Sequence, residues 1–193
     1  MNAKEKKKEQ KPRSEDSDAG TADLIRELGL AAPGTDFESD LQYISIIGSI
    51  EGHIALPMEN KTTKYEHLIP QLIAVEENPK LRGLLVILNT MGGDVEAGLA
   101  LAEMIATLSK PTVSLVLGGG HSIGIPLATA TDYSFIAGTA TMKLHPIRTT
   151  GLVITAETTF DYMRKTQDRV IDFIAGHSRA TRKRVTELMN CSD

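Results

Sequence analysis

Residues 82–124 read RGLLVILNTMGGDVEAGLALAEMIATLSKPTVSLVLGGGHSIG. An apolar run (82–89) ends in a glycine turn that opens a helical segment (91–110). A second apolar run (111–117) ends in a second glycine turn, with another helix beginning near Ser122. Continuous apolar, β-branched runs are the signature of strands buried in a parallel sheet, and the helices between them serve as crossovers. Working outward, LQYISIIGSI (41–50) reads as a strand and NKTTKYEHLIPQLIAVEENPK (60–80) as a helix. In that helix Thr63 and Glu66 have capping-box spacing, and Tyr65, Leu68, Ile69, Leu72 and Ile73 make one apolar face. Pro70 should bend it or mark a late start. DYSFIAG (132–138) and ATMKLHP (140–146) read as short strands, TAETTFDYMRKTQDRVIDFIAGHS (155–178) as a long amphipathic helix and TRKRVTELM (181–189) as another. The apolar residues of the long helix include Phe160, Met163, Val170, Phe173 and Ile174. The order strand–helix–strand–helix–strand predicts an α/β fold with a mostly parallel sheet covered on both faces.

The rest of the 193 residues bounds the function. With 41% hydrophobic and 24% charged residues, the balance is that of a soluble globular domain. A net charge of -4, 4% aromatics and no Trp argue against nucleic acid as a partner. One cysteine, Cys191, excludes an internal disulfide framework and a cysteine-rich metal site, and fits a cytoplasmic setting. Residues 1–21 carry Lys, Glu and Asp with no large apolar residue after Met1, so a disordered charged tail is expected there, followed by a short helix over 21–30 and a domain over 22–193. No signal peptide is expected, since no apolar core follows the N-terminal charges. The uncharged stretch Pro111–Thr131 contains Gly118, Gly119, Gly120, His121, Ser122 and Pro126. That is a poor composition for a membrane span, so no stable membrane insertion is expected.

The two glycine turns carry the chemistry. Ligands of such folds gather at the carboxyl ends of parallel strands, where helix N-termini present free N–H groups. The dinucleotide pattern Gly-x-Gly-x-x-Gly fails in both frames: from Gly118 the sixth residue is Ile123, and from Gly119 the third is His121. No Gly-Lys-Ser/Thr tripeptide supplies a P-loop, and no cofactor is expected. Gly120-His121-Ser122-Ile123-Gly124 does match Gly-x-Ser-x-Gly, the turn that exposes a nucleophilic serine. The competing structural reading is a tight turn in which Ser122 merely caps a helix. A serine nucleophile needs a base. His121 adjoins Ser122, and neighbouring side chains diverge. His145 ends a short apolar run before Pro146 and is well placed to face a cleft. His177 reads as a helix stop, and His53 and His67 have no comparable setting. His145 follows Ser122 by 23 residues, too few for the Ser–acid–His order of α/β-hydrolases.

From about Leu41 onward the chain resembles the Clp protease proteolytic subunit, of the ClpP/crotonase fold. ILNTMGGDVEAGLALAEMI resembles that family's Asn-Ser-Pro-Gly-Gly segment and its following helix. GGHSIG sits where the family has its serine, and MKLHPI where it has His-Gln-Pro. NKTTKYEHLIPQ and the run from Gly92 to Gly124 further resemble the translocation-enhancing branch of Clp-like proteases in spore-forming Gram-positive bacteria. The resemblance implies a serine peptidase with Ser122 as nucleophile and His145 as general base. The oxyanion would be held by backbone N–H groups of Gly92 or Gly93 and of Ile123. It implies an extended peptide laid along the glycines, a protruding handle helix over 155–177 that pairs two rings, and a ring-forming homo-oligomer. Unfolded protein or peptide would be the substrate, fed by an AAA+ unfoldase ATPase partner.

The sequence departs from the family at three places. Met91 stands where Pro is usual, and Gln is missing between His145 and Pro146. The family's triad Asp should come after the helix that ends near Met189. Asp168 and Asp172 lie on the long helix, and Asp193 is the last residue. The expectation is a domain lacking its C-terminal strands, read either as a truncated sequence or as a weakened Clp-like assembly subunit linked to protein export. A crotonase-type acyl-CoA enzyme would share the fold, but the serine–histidine pair argues against it.

Overall fold

The computed structural model describes residues 39–148 and 156–191. The predicted tail and the short helix over 21–30 lie outside them. Five strands form one parallel sheet: β1 (Leu41–Glu51), β2 (Thr62–Lys64), β3 (Gly83–Gly93), β4 (Thr112–Gly120) and β5 (Tyr133–Ile136). Their spatial order is β2-β1-β3-β4-β5. Five helices complete the described chain: α1 (Tyr65–Glu77), α2 (Val95–Ala106), α3 (Gly124–Thr129), α4 (Ala156–Gly176) and α5 (Arg182–Asn190). The α/β fold with a parallel sheet is therefore as the apolar runs foretold.

Burial alternates along the strands. Ile44, Ile46, Leu84, Val86, Leu88, Ser114 and Val116 point into the core with Leu72, Leu101, Ile105 and Leu127 of the helices. Tyr43, Ile47 and Leu117 point the other way and are exposed. Among the described residues the helices thus cover one face, not the two that continuous apolar runs suggested. A run that is apolar throughout does not say which of its faces meets a helix.

Local expectations are corrected in four places. Thr63 does not cap α1: Lys64 occupies that position, and no side-chain cap forms. The Thr63 hydroxyl instead accepts from Ile47 N–H (2.8 Å) and donates to the Ile47 carbonyl (2.9 Å), so it bridges two strands. Pro70 lies inside α1 and does not mark its start. Ile73, on the predicted apolar face, is 51% exposed, and Phe160 on α4 is 68% exposed. Residues 140–146 are not a strand: only Thr141 forms a bridge, to Gly119.

The long helix α4 divides in two. Its second half buries Val170, Ile171, Phe173 and Ile174, while Phe160 and Tyr162 in the first half are exposed. Arg169 ties α4 to the first turn of α2 by donating to both oxygens of Glu96 (2.8 and 2.9 Å), and the Tyr162 hydroxyl donates to the same carboxylate (3.3 Å). No helix among the described residues is long and apolar enough to cross a membrane.

Two outcomes follow. Leu72→Ala empties a fully buried site and should cost about 2–5 kcal/mol, whereas Ile73→Ala next door should cost within about 0.5 kcal/mol, both read from urea denaturation. The Arg169 hydrogen bonds hold the Glu96 carboxyl below its ordinary 4.5. A depressed carboxyl stabilises the fold above its unfolded value and loses that effect as the pH falls through the folded one. The urea midpoint of Glu96→Gln should therefore lie below wild type at neutral pH and converge on it in acid beneath 4.5.

Candidate active site

β3 and β4 end side by side, and their two turns are built against each other. Thr90 pairs with Gly120, and the next residue, His121, donates its N–H to the Thr90 carbonyl (3.1 Å). Ser122 then takes φ 54°. Left-handed backbone at a residue with a side chain costs on the order of 1–3 kcal/mol and persists only where surroundings enforce it. Here Ser122 N–H donates to the Lys143 carbonyl (2.8 Å), and the Ser122 carbonyl accepts from Ile125 N–H (3.0 Å) as α3 begins. Opposite lies Gly92, at φ 96°. A Cβ on residue 92 would stand 2.7 Å from Ser122 Cβ and 3.2 Å from its Oγ. Only glycine leaves room for the hydroxyl.

Of the backbone donors named from sequence, Gly92 N–H is already used: it donates to Thr90 Oγ1 (3.0 Å). Gly93 lies opposite Ile50 in the β1–β3 ladder. A parallel ladder bonds the neighbours of such a residue and leaves its own N–H pointing away, and Asp94 N–H indeed donates to the Ile50 carbonyl (2.9 Å). Gly93 is exposed. Among the described residues the Ile123 N–H has no acceptor, although its side chain is buried. Asp94 caps α2 by accepting from Ala97 N–H (2.8 Å), so that helix points its N-terminus back toward the Gly93 turn.

The segment leading to His145 runs beside the end of β4. Thr141 N–H donates to the Gly118 carbonyl (2.9 Å), and the Thr141 carbonyl accepts from Gly120 N–H (3.0 Å). His145 comes two residues after Lys143, whose carbonyl holds Ser122. Its Nδ1 lies 2.7 Å from the Pro146 carbonyl. A carbonyl can only accept, so Nδ1 carries a proton, and in the neutral ring the lone pair sits on Nε2. No hydrogen bond joins Ser122 Oγ to His145. The structure thus sets Ser122 against Gly92; Gly93 and Ile123 are their neighbours in the chain, and His145 lies two residues beyond Lys143, whose carbonyl holds Ser122.

Among the described residues no carboxylate bonds His145. Asp168 and Asp172 both pair with Arg182, and Asp193 lies outside the described residues. The His177 Nδ1–H donates to the Phe173 carbonyl (2.8 Å) at the end of α4, in keeping with a helix stop. No three His, Cys, Asp or Glu side chains among the described residues are grouped to hold a metal ion.

Sequence reasoning missed Thr90. Its buried hydroxyl donates to the Gly48 carbonyl (2.6 Å) while accepting from Gly92 N–H, and its carbonyl holds His121. One residue therefore fastens both turns. It also missed Asn89, whose Oδ1 accepts from Gly119 N–H (3.0 Å). Nothing in the local pattern NTMGG marks either as more than turn chemistry.

Comparison with known proteins bears on the family and the fold. The family model described as Clp protease matches residues 39–192. The chain is 56% identical over 178 residues to the translocation-enhancing protein TepA of Halalkalibacterium halodurans, an alignment spanning 92% of this chain and 70% of that protein. A solved ClpP1 mutant from Listeria monocytogenes superposes with a TM-score of 0.62 at 18% identity, covering 76% of this chain and 77% of that one. At that identity the likeness is one of fold.

Thr90→Val keeps the shape of the side chain and removes its hydroxyl, leaving the Gly48 carbonyl and Gly92 N–H unpaired in a buried place. The loss should be about 1–3 kcal/mol in urea denaturation, with Thr90→Ser retaining most of the stability.

Proposed function

Because the chain belongs to the Clp protease family, we propose that it is a serine-type endopeptidase, a cytoplasmic Clp-like proteolytic subunit that cleaves unfolded proteins or peptides and is linked to protein export. The observation that supports it is the left-handed Ser122, set against Gly92 where a side chain would not fit. In this reading the Ser122 Oγ attacks the scissile carbonyl while His145 Nε2 takes its proton. The Gly93 and Ile123 N–H groups hold the oxyanion. Gly92, whose own N–H is engaged by Thr90, contributes the close approach instead. His145 then returns the proton to the leaving amine, and water releases the acyl group by the reverse route. The exposed turn at Gly93 lets an extended substrate lie alongside as an added strand. The subunit would act as a ring-forming homo-oligomer with α4 as its inter-ring handle, fed by an AAA+ ATPase. The relative's name, translocation-enhancing, supports the export link.

One observation favours a second reading, a catalytically weakened assembly subunit. The partner of His145 Nδ1 is the Pro146 carbonyl, which orients the ring but carries no charge to offset an imidazolium. In serine triads the loss of the orienting carboxylate costs about 10⁴ in turnover.

A fluorophosphonate probe and an unfolded peptide substrate decide. The expected result is labelling of wild type at Ser122, none of Ser122→Ala, and peptide cleavage that disappears with the same substitution. Equal labelling of the two proteins would remove Ser122 as nucleophile. Labelling without measurable cleavage would favour the weakened subunit.

A further inference from the structure

His121 stands beside the proposed nucleophile, and the peptidase mechanism gives it no part. Its contacts say what it does. In a parallel ladder, a residue sends its N–H and C=O to the two neighbours of its opposite number. Thr141, opposite Gly119, does so through Gly118 and Gly120. Lys143 is the next rung, opposite His121. Its carbonyl follows the pattern and accepts from Ser122 N–H (2.8 Å). Its N–H should reach the Gly120 carbonyl. Instead it donates to the Nδ1 of His121, at 3.1 Å. The side chain takes over the rung at the point where the backbone turns to raise Ser122.

The ring is fitted to this task. It lies over Gly119, where an added Cβ would meet Nε2 at 2.8 Å and Cδ2 at 2.9 Å. The second glycine of the Gly118–Gly120 run is therefore the room into which the imidazole folds. Because Nδ1 accepts a hydrogen bond, the proton of the neutral ring sits on Nε2.

We infer that His121 is a positioning residue: through Nδ1 it completes the ladder between the elbow and residues 141–143, sets the register of that segment, and so fixes where His145 stands relative to Ser122. This rests on the reading of Ser122 and His145 as nucleophile and base. The His121 ring is spent on the Lys143 N–H and on the space over Gly119. It acts through the Lys143 amide, two residues from His145.

The geometry selects its own test. Asn carries Oδ1 at nearly the position of His Nδ1, whereas Gln places its amide one bond further out and Leu has no acceptor. Full-length wild type, His121→Asn, His121→Gln and His121→Leu are compared by two readouts. The first is amide hydrogen exchange at Lys143 by NMR, referenced to Thr141 in the same segment. Exchange should speed up about tenfold in the Gln and Leu variants, the equivalent of one neutral hydrogen bond, and stay near wild type in Asn. The second is Ser122 labelling and peptide turnover. The Gln and Leu variants should lose about tenfold to a hundredfold in kcat with KM little changed, the effect of a misplaced base, and Asn should recover most of that loss. Unchanged Lys143 exchange in Leu and Gln, or an Asn variant that behaves like Leu, would overturn the inference. If wild type itself is neither labelled nor active, the peptidase reading fails, and the exchange data still decide whether His121 holds the segment.

Discussion

Everything at this site depends on how closely two chain turns approach. Gly92 and Ser122 come from the ends of adjacent parallel strands, and the atoms leave no space for a side chain on the first if the second is to carry one. Both residues adopt positive φ. For glycine that conformation costs little, but for serine it is unfavourable and has to be imposed. The imposition comes from hydrogen bonds made by neighbours on either side: His121 N–H to Thr90, Ser122 N–H to Lys143, and the Ser122 carbonyl to the first turn of α3. The serine keeps this conformation because the backbone is held, and the backbone is held because a sheet ends there.

A sheet that ends in sharp turns must also account for its backbone polar groups, since a buried N–H or C=O without a partner is costly. Three side chains make up the difference. The β3–β4 register shifts between Leu88 and Thr90, and Asn89 receives the Gly119 N–H at that irregularity. The β1–β3 register shifts between Gly48 and Ser49, and the Thr90 hydroxyl takes the Gly48 carbonyl. Beyond the end of β4, His121 receives the Lys143 N–H. Each sits at a break in the regular pairing, and each replaces a backbone partner lost there. Together these residues carry the ladder around the turn.

What could be read from the sequence divides along the same line. The parallel sheet was legible because buried strands leave continuous apolar runs, 82–89 and 111–117, separated by a crossover helix. Gly120 to Gly124 was legible because an exposed serine elbow needs small neighbours at fixed offsets. What was not legible depends on contacts between distant positions. Thr63 and Glu66 have the spacing of a cap, yet Thr63 spends its hydroxyl on Ile47, sixteen residues earlier in the chain, because β2 pairs with β1. Ile73 fits a helical stripe that includes Leu72, but the curved surface of α1 buries Leu68, Leu72 and Val75 instead. That the Gly92 N–H is engaged and the Gly93 N–H points away from β1 follows from the Thr90 hydroxyl and from the register that sets Gly93 opposite Ile50, neither of which the local sequence shows.

The two histidines near Ser122 show why adjacency in sequence is a poor guide to chemical role. His121 is next to the serine, and His145 is far along the chain. Each has its Nδ1 engaged, but by groups of opposite kind. A backbone N–H faces the Nδ1 of His121 and makes it an acceptor, which leaves a proton on Nε2. A backbone carbonyl faces the Nδ1 of His145 and makes it a donor, which leaves a lone pair on Nε2. Only the second arrangement yields a ring whose outer nitrogen can take a proton from a serine. The difference is set by main-chain geometry: residues 141–143 run in register beside β4, and the chain then turns at Pro146. The same ring thus becomes an acceptor where it stands in the ladder and a donor just past the ladder's end.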